Sequence, residues 1–197
     1  MSPRTAFLAG ALAFTLGAAG LGVALVHLTS GGGATATQPS SVGGPFALVN
    51  QDGQPTTEAA FKGAPFLVFF GFTHCPDVCP TALSDMTQAL EALGPDAQKI
   101  RAAFVTVDPA RDAPADLKAY LSSFSPRIVG LTGTQEQVDA TVKTFKAYAK
   151  KTPLPGGDYT MDHTALVYLM DRNGAFVRPL NLKRPPEEVA AELKRYL

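Results

Sequence analysis

PFLVFFGFTHCPDVCPTALSDMTQALEAL, residues 65–93, decides the fold: an unbroken apolar run, a short polar loop and an amphipathic segment follow one another directly. The run Pro65–Phe72 shows no period-two alternation, which is the pattern of a strand buried on both faces. In Thr81–Leu93, Leu83, Met86, Leu90 and Leu93 recur at helical spacing and predict one buried stripe, with Gly94-Pro95 as its stop. Between them, GFTHCPDVCP (Gly71–Pro80) holds the chain's only two cysteines, Cys75 and Cys79, each followed by proline. A residue before proline is biased to extended geometry, so neither cysteine is expected inside the helix. Pro80 is expected at the first helical position, with Cys79 as N-cap, where the helix dipole and free N–H groups favour a thiolate. A tight turn over Pro76, Asp77 and Val78 would bring the thiols close enough to share a metal ion or close a disulfide.

Working outward, PFALVN and a turn at Gln51-Asp52-Gly53 predict a short edge hairpin. IRAAFVTVD (100–108) and IVGLTG (128–133) read as further buried strands, with a helix opening near Pro114 between them. Thr134 and Gln137 form a capping box for a helix that buries Val138, Val142, Phe145 and Ala149. KTPLPGGDYTMD (151–162) is rich in proline, glycine and polar groups and predicts a surface loop. It delivers His163 to the start of a strand, TALVYLMD, which pairs through Asp171–Gly174 with AFVRPLN. A last helix begins near Pro185-Pro186 and carries Val189, Leu193 and Leu197 on one face. This order predicts an α/β fold, a mixed sheet with helices on both faces. A strand ending in a cysteine loop that caps a helix, with a closing hairpin and helix, resembles the thioredoxin fold.

Seventeen basic side chains balance seventeen acidic ones over 197 residues, which argues against nucleic acid as a partner. Arg4 is the only charged residue before Asp52, so the N-terminus is a separate physical object. Ala6–Leu28 is uncharged and mostly apolar, about the ~20 residues a membrane-spanning helix needs. Residues 1–29 are therefore expected to be an N-terminal transmembrane anchor, 30–44 a Gly/Ser/Thr-rich linker and 45–197 the functional domain. Ala34-Thr35-Ala36 offers a cleavage site, so a signal peptide is the rival reading; both export the domain. With the anchor kept, the expected location is the inner (cytoplasmic) membrane, single-pass, with the C-terminal domain periplasmic. A structural disulfide is the plain alternative for an exported cysteine pair. The short loop between the cysteines gives such a staple little entropic value, so reactivity explains the pair better.

FGFTHCPDVCP, VTVDPARD, SPRIVGLTGT and DYTMDH, in that order, resemble the Sco/SenC family of copper-binding assembly factors for cytochrome c oxidase. The resemblance covers about residues 43–197; Ala113, where the family often has threonine, departs at a predicted helix cap. It implies that Cys75, Cys79 and His163 are the metal ligands. Two thiolates select a soft ion such as Cu(I), and an added imidazole makes the set acceptable to Cu(II). Structural zinc usually closes four protein ligands, so zinc is the weaker reading. Asp108 and Asp162 flank the expected site as carboxylates that could orient His163. His74 reads as a group beside the ligands or a partner contact, and Met161 as packing rather than a weak ligand.

The resemblance implies a membrane-anchored copper chaperone, rather than a true enzyme, that delivers copper to the dinuclear copper site of cytochrome c oxidase subunit II. A periplasmic copper donor or thiol reductant would serve it. The alternative is a thiol-disulfide oxidoreductase keeping that site's cysteines reduced, with Cys75 and Cys79 as the redox pair. A peroxide-reducing thiol enzyme has no motif to support it. His163 separates the first two readings, since dithiol exchange does not require it.

Overall fold

The computed structural model describes residues 42–197. The anchor expected over Ala6–Leu28, the cleavage site and most of the linker lie outside the described residues. Among the described residues, no helix is long and apolar enough to cross a membrane.

A seven-stranded sheet is built from β1 (Ala47–Asn50), β2 (Pro55–Thr57), β3 (Phe66–Gly71), β4 (Arg101–Thr106), β5 (Ile128–Thr132), β8 (Val167–Met170) and β9 (Phe176–Leu180), in the order β2-β1-β5-β4-β3-β8-β9. The strands β3, β4 and β5 run parallel, whereas β8 pairs antiparallel with β3 and β9 with β8. Every residue of β3 is buried, as its lack of alternation predicts for a strand covered on both faces. One face packs Phe70 against Phe145 and Tyr168, and the other packs Phe69 against Phe104. Mutual burial of these rings contributes a large apolar area to the core.

Helices α1 (Val78–Ala92), α2 (Pro114–Leu121), α3 (Gln135–Thr144) and α4 (Pro186–Leu193) complete a mixed α/β, thioredoxin-like arrangement. Leu83, Met86, Leu90 and Leu93 are all buried, so the predicted stripe is the packed face of α1, and Met86 is core. Thr134 Oγ1 accepts from Gln137 N and Gln137 Oε1 from Thr134 N, closing the capping box at α3. That helix is shorter than its sequence pattern predicts. It stops at Thr144, Lys146 adopts a left-handed conformation (φ 52°), and Ala149 starts a strand instead of continuing the helical face.

The segment predicted as an irregular loop is a second, two-stranded sheet. β6 (Ala149–Pro153) and β7 (Tyr159–His163) pair antiparallel from Ala149↔His163 to Pro153↔Tyr159. Gly156 and Gly157 both take positive φ at the tip, and the flanking, largely polar residues make a partly buried ladder. His163 therefore ends β7 and does not open β8.

Candidate metal centre

The centre lies where β3 ends. Phe72, Thr73 and His74 leave the strand, and Cys75 N–H donates to the Phe72 carbonyl at 3.2 Å to turn the chain towards α1. The helix starts at Val78 with Asp77 as N-cap, so Cys79 lies in its first turn, not ahead of it. A proline at the third helical position loses no hydrogen bond, because the first-turn N–H groups have no intrahelical partner. The pre-proline bias that argued against a helical Cys79 is overridden there. Cys75 stays outside the helix, as expected. The amide that α1 offers at its start is Cys79 N–H, and it donates to Cys75 Sγ at 3.3 Å. The helix N-terminus thus serves the sulfur of Cys75 and not that of Cys79.

Both thiols are free, Cys75 partly exposed and Cys79 fully buried. Burial, reinforced by a hydrogen bond with Cys75, pushes the Cys79 thiol far above its ordinary range. The thiolate predicted from an N-cap position is therefore not its metal-free state; desolvation outweighs any helix-terminus effect. His163 Nε2 lies 3.4 Å from Cys79 Sγ. Its Nδ1–H donates to the Thr164 carbonyl at 3.1 Å, which turns the Nε2 lone pair towards the sulfur. Burial lowers the imidazole pKa and keeps the ring neutral, the form that binds metals. Phe69 and Phe72 enclose it edge-on, with centroids 6.2 and 5.8 Å away.

Cys75 Sγ, Cys79 Sγ and a ring nitrogen of His163 all lie within 4.8 Å of one another. Sulfur and imidazole ligands bind at roughly 2.0–2.3 Å, so shifts of a few tenths of an ångström bring all three onto one ion. To bind a soft cation there, the Cys79 thiol must give up its proton. Loading then releases protons, and affinity rises with pH.

The other candidates divide. Asp108 does not meet His163: its Oδ2 accepts from Arg111 Nε at 2.5 Å and its Oδ1 from the Tyr159 hydroxyl at 3.0 Å. Asp162 accepts from the Thr152 hydroxyl at 2.8 Å and acts on the imidazole only through space. A backbone carbonyl, not a carboxylate, orients the ring. His74 bonds the Thr73 hydroxyl through Nδ1 at 3.0 Å, with a side chain 55% exposed, and stands outside the ligand cluster. Met161, on β7, packs against the core.

Sequence reasoning missed Asp112. It is fully buried, and its carboxylate accepts from Thr73 N (3.0 Å), the Thr73 hydroxyl (2.6 Å) and the Thr106 hydroxyl (2.5 Å), tying the cysteine loop to the end of β4. Thr73 and Thr106, polar groups at the ends of two buried strands, were the signal that a common acceptor was needed.

The chain matches the SCO1/SenC family over residues 34–197. The SCO2-like protein of Rickettsia felis is 38% identical over 155 residues, 78% of this chain and 76% of the relative. Among solved structures, Bradyrhizobium japonicum ScoI with copper bound is 56% identical, with a TM-score of 0.77 over 79% of this chain and 99% of that one. BsSco, described as a member of the Sco family of cytochrome c oxidase assembly proteins and as having a disulfide switch, is 26% identical, with a TM-score of 0.64 over 80% of this chain and 95% of its own.

Proposed function

Because this chain belongs to the SCO1/SenC family, we propose that it is a copper chaperone for cytochrome c oxidase assembly, carrying the ion on Cys75, Cys79 and His163 and passing it to the copper site of subunit II. The observation that carries this reading is the meeting of Cys79 Sγ and His163 Nε2 at 3.4 Å beside Cys75, from segments 84 residues apart. Two sulfurs and one imidazole suit Cu(I) and accept Cu(II). Copper is cargo here: three protein ligands leave the ion open to an incoming ligand, so an acceptor's thiolate can bind before Cys75, the more exposed sulfur, lets go. Burial of Cys79 and His163 keeps two ligands in place during that exchange.

We assign residues 1–29 to a membrane anchor and 30–44 to its tether, with residues 45–197 on the periplasmic side of the inner membrane. The uncharged run Ala6–Leu28 and the lone preceding Arg4 support that placement. A second reading, dithiol exchange with the acceptor's cysteines, draws support from the hydrogen bond from Cys79 N–H to Cys75 Sγ and from the disulfide switch described for BsSco.

The test is transfer from the copper-loaded full chain to the metal-free copper domain of subunit II. Wild type should transfer copper and His163→Ala should fail, while reduction of a test disulfide survives the substitution. Oxidase assembly that persists with His163→Ala would favour the dithiol reading instead.

A further inference from the structure

The hairpin that carries His163 makes no ladder with the main sheet; β6 and β7 pair only with each other. Its base is closed internally, by Tyr148 N–H to the Thr164 hydroxyl (2.8 Å) and Thr164 N–H to the Tyr148 carbonyl (3.0 Å). Apart from the Cys79–His163 contact itself, the side-chain hydrogen bonds that tie the hairpin strands to the body come from the β4–α2 loop. Tyr159 donates its hydroxyl proton to Asp108 Oδ1 at 3.0 Å, and Arg111 Nη1 donates to the Tyr159 carbonyl at 3.2 Å and approaches Asp158 at 3.4 Å. The guanidinium carbon stands 3.7 Å from the centre of the Tyr159 ring and is braced by Asp108 through Nε at 2.5 Å. A planar cation that stacks on an aromatic face while it is held by a carboxylate is a rigid anchor, which lysine would not reproduce.

Tyr159 and His163 are four residues apart on one strand, hence on the same face. Fixing the first fixes the second to within the stiffness of a short ladder. The same loop supplies Asp112, which holds Thr73, two residues before Cys75. One short segment, residues 108–112, therefore grips both the cysteine loop and the histidine strand.

We propose that Asp108, Arg111 and Tyr159 are positioning residues: they form a clamp that holds His163 at bonding distance from the cysteine pair. This rests on the reading of Cys75, Cys79 and His163 as copper ligands. The chain's dithiol alone can hold Cu(I), so loss of the clamp acts on the contribution of the imidazole. Supporting groups of this kind change metal affinity by roughly 10- to 100-fold. Tyr159→Phe, which removes one hydroxyl, belongs at the lower end and Arg111→Ala at the upper.

The experiment titrates Cu(II) into the full-length chain in detergent, for wild type, Tyr159→Phe, Arg111→Ala, Arg111→Lys, His163→Ala and the double variant Arg111→Ala/His163→Ala. It records affinity and the nitrogen hyperfine signal in the electron paramagnetic resonance spectrum. A clamp acting through His163 weakens affinity in Arg111→Ala and Tyr159→Phe and reduces or splits the nitrogen signal. Arg111→Lys fails to restore either, and Arg111→Ala adds nothing once His163 is gone. Losses from Arg111→Ala and His163→Ala that simply multiply would overturn the clamp, since arginine would then be supporting the fold in general. An unaltered nitrogen signal in Tyr159→Phe and Arg111→Ala would overturn it as well. If wild type and His163→Ala bind equally well, the ligand assignment itself is wrong and the clamp falls with it.

Discussion

Replacing Gly71 with alanine places a single methyl group under the metal site, and its consequence can be worked from distances. A Cβ there would lie 2.6 Å from Phe104 Cε2 and 2.8 Å from Cys79 Sγ, short of ordinary contact at 3.4 Å by about 0.8 and 0.6 Å. Neither neighbour has room to retreat, because Phe104 and Cys79 are both fully buried. Overpacking of this kind costs about 1–3 kcal/mol, and at roughly 2–4 °C per kcal/mol for a domain of this size the melting temperature should fall by ~2–12 °C. The larger effect is on function. Binding sites need their groups within about 0.5 Å of the productive geometry, and Cys79 would be pushed at least that far relative to His163. Calorimetric melting together with copper titration at low temperature, where both forms are folded, separates the two effects. Gly71→Ala should bind copper about tenfold or more weakly even while folded. Wild-type affinity with an unchanged melting temperature would refute the claim that Gly71 is fixed by the closeness of Cys79.

The pH dependence of the metal-free domain follows from two shifts of opposite sense. Burial lowers the His163 pKa below 6.5, so its contribution to stability is complete above that value and is lost as pH falls through the folded pKa; His163→Ala should flatten the acid limb of a melting-temperature profile. Burial raises the Cys79 pKa, so an unfolded chain that ionises near pH 9.0 is favoured as pH rises beyond it; Cys79→Ala should flatten the alkaline limb. Asp112→Asn replaces an acceptor of three hydrogen bonds with a group that must turn an amide towards donors, and should cost about 2–3 kcal/mol in chemical denaturation and weaken copper binding. At the start of α2, Ala113 has cap geometry (φ −67°, ψ 164°) and already receives the Asp116 side chain on its N–H, but it has no side-chain oxygen, and Asp116 N–H donates to the Ala113 carbonyl at 3.0 Å instead. Ala113→Thr supplies the side-chain oxygen and should raise stability by about 1 kcal/mol, or ~2–4 °C, with copper affinity unchanged.

The sheet was legible because its signals are local. A short apolar run without alternation, bounded by turn signals, fits a strand buried on both faces, and β3 is one; the stripe Leu83, Met86, Leu90, Leu93 faces the core as its helical spacing predicts. That Cys75, Cys79 and His163 lie together was anticipated through the family resemblance, helped by residue types that carry chemistry: two cysteines in a proline-bounded loop and a histidine after a glycine-rich stretch. The hairpin β6–β7 was hidden because its strands are largely polar and only partly buried, without a clear alternation, and only pairing across the Pro155–Gly157 turn makes them a ladder. Cys79 was placed outside the helix because the pre-proline rule was applied without the first-turn exception. The roles of Asp108, Arg111 and Asp112 depend on partners up to 51 residues away, a distance at which spacing carries no information.

The central claim is that one ion is held by two sulfurs and one imidazole nitrogen. X-ray absorption at the copper edge of the Cu(I)-loaded protein, taken for wild type and His163→Ala, tests it most directly. Two sulfur neighbours and one nitrogen per copper in wild type, with the nitrogen lost in the variant, is the expected result. A shell of sulfur alone in wild type, unchanged by the substitution, would contradict it.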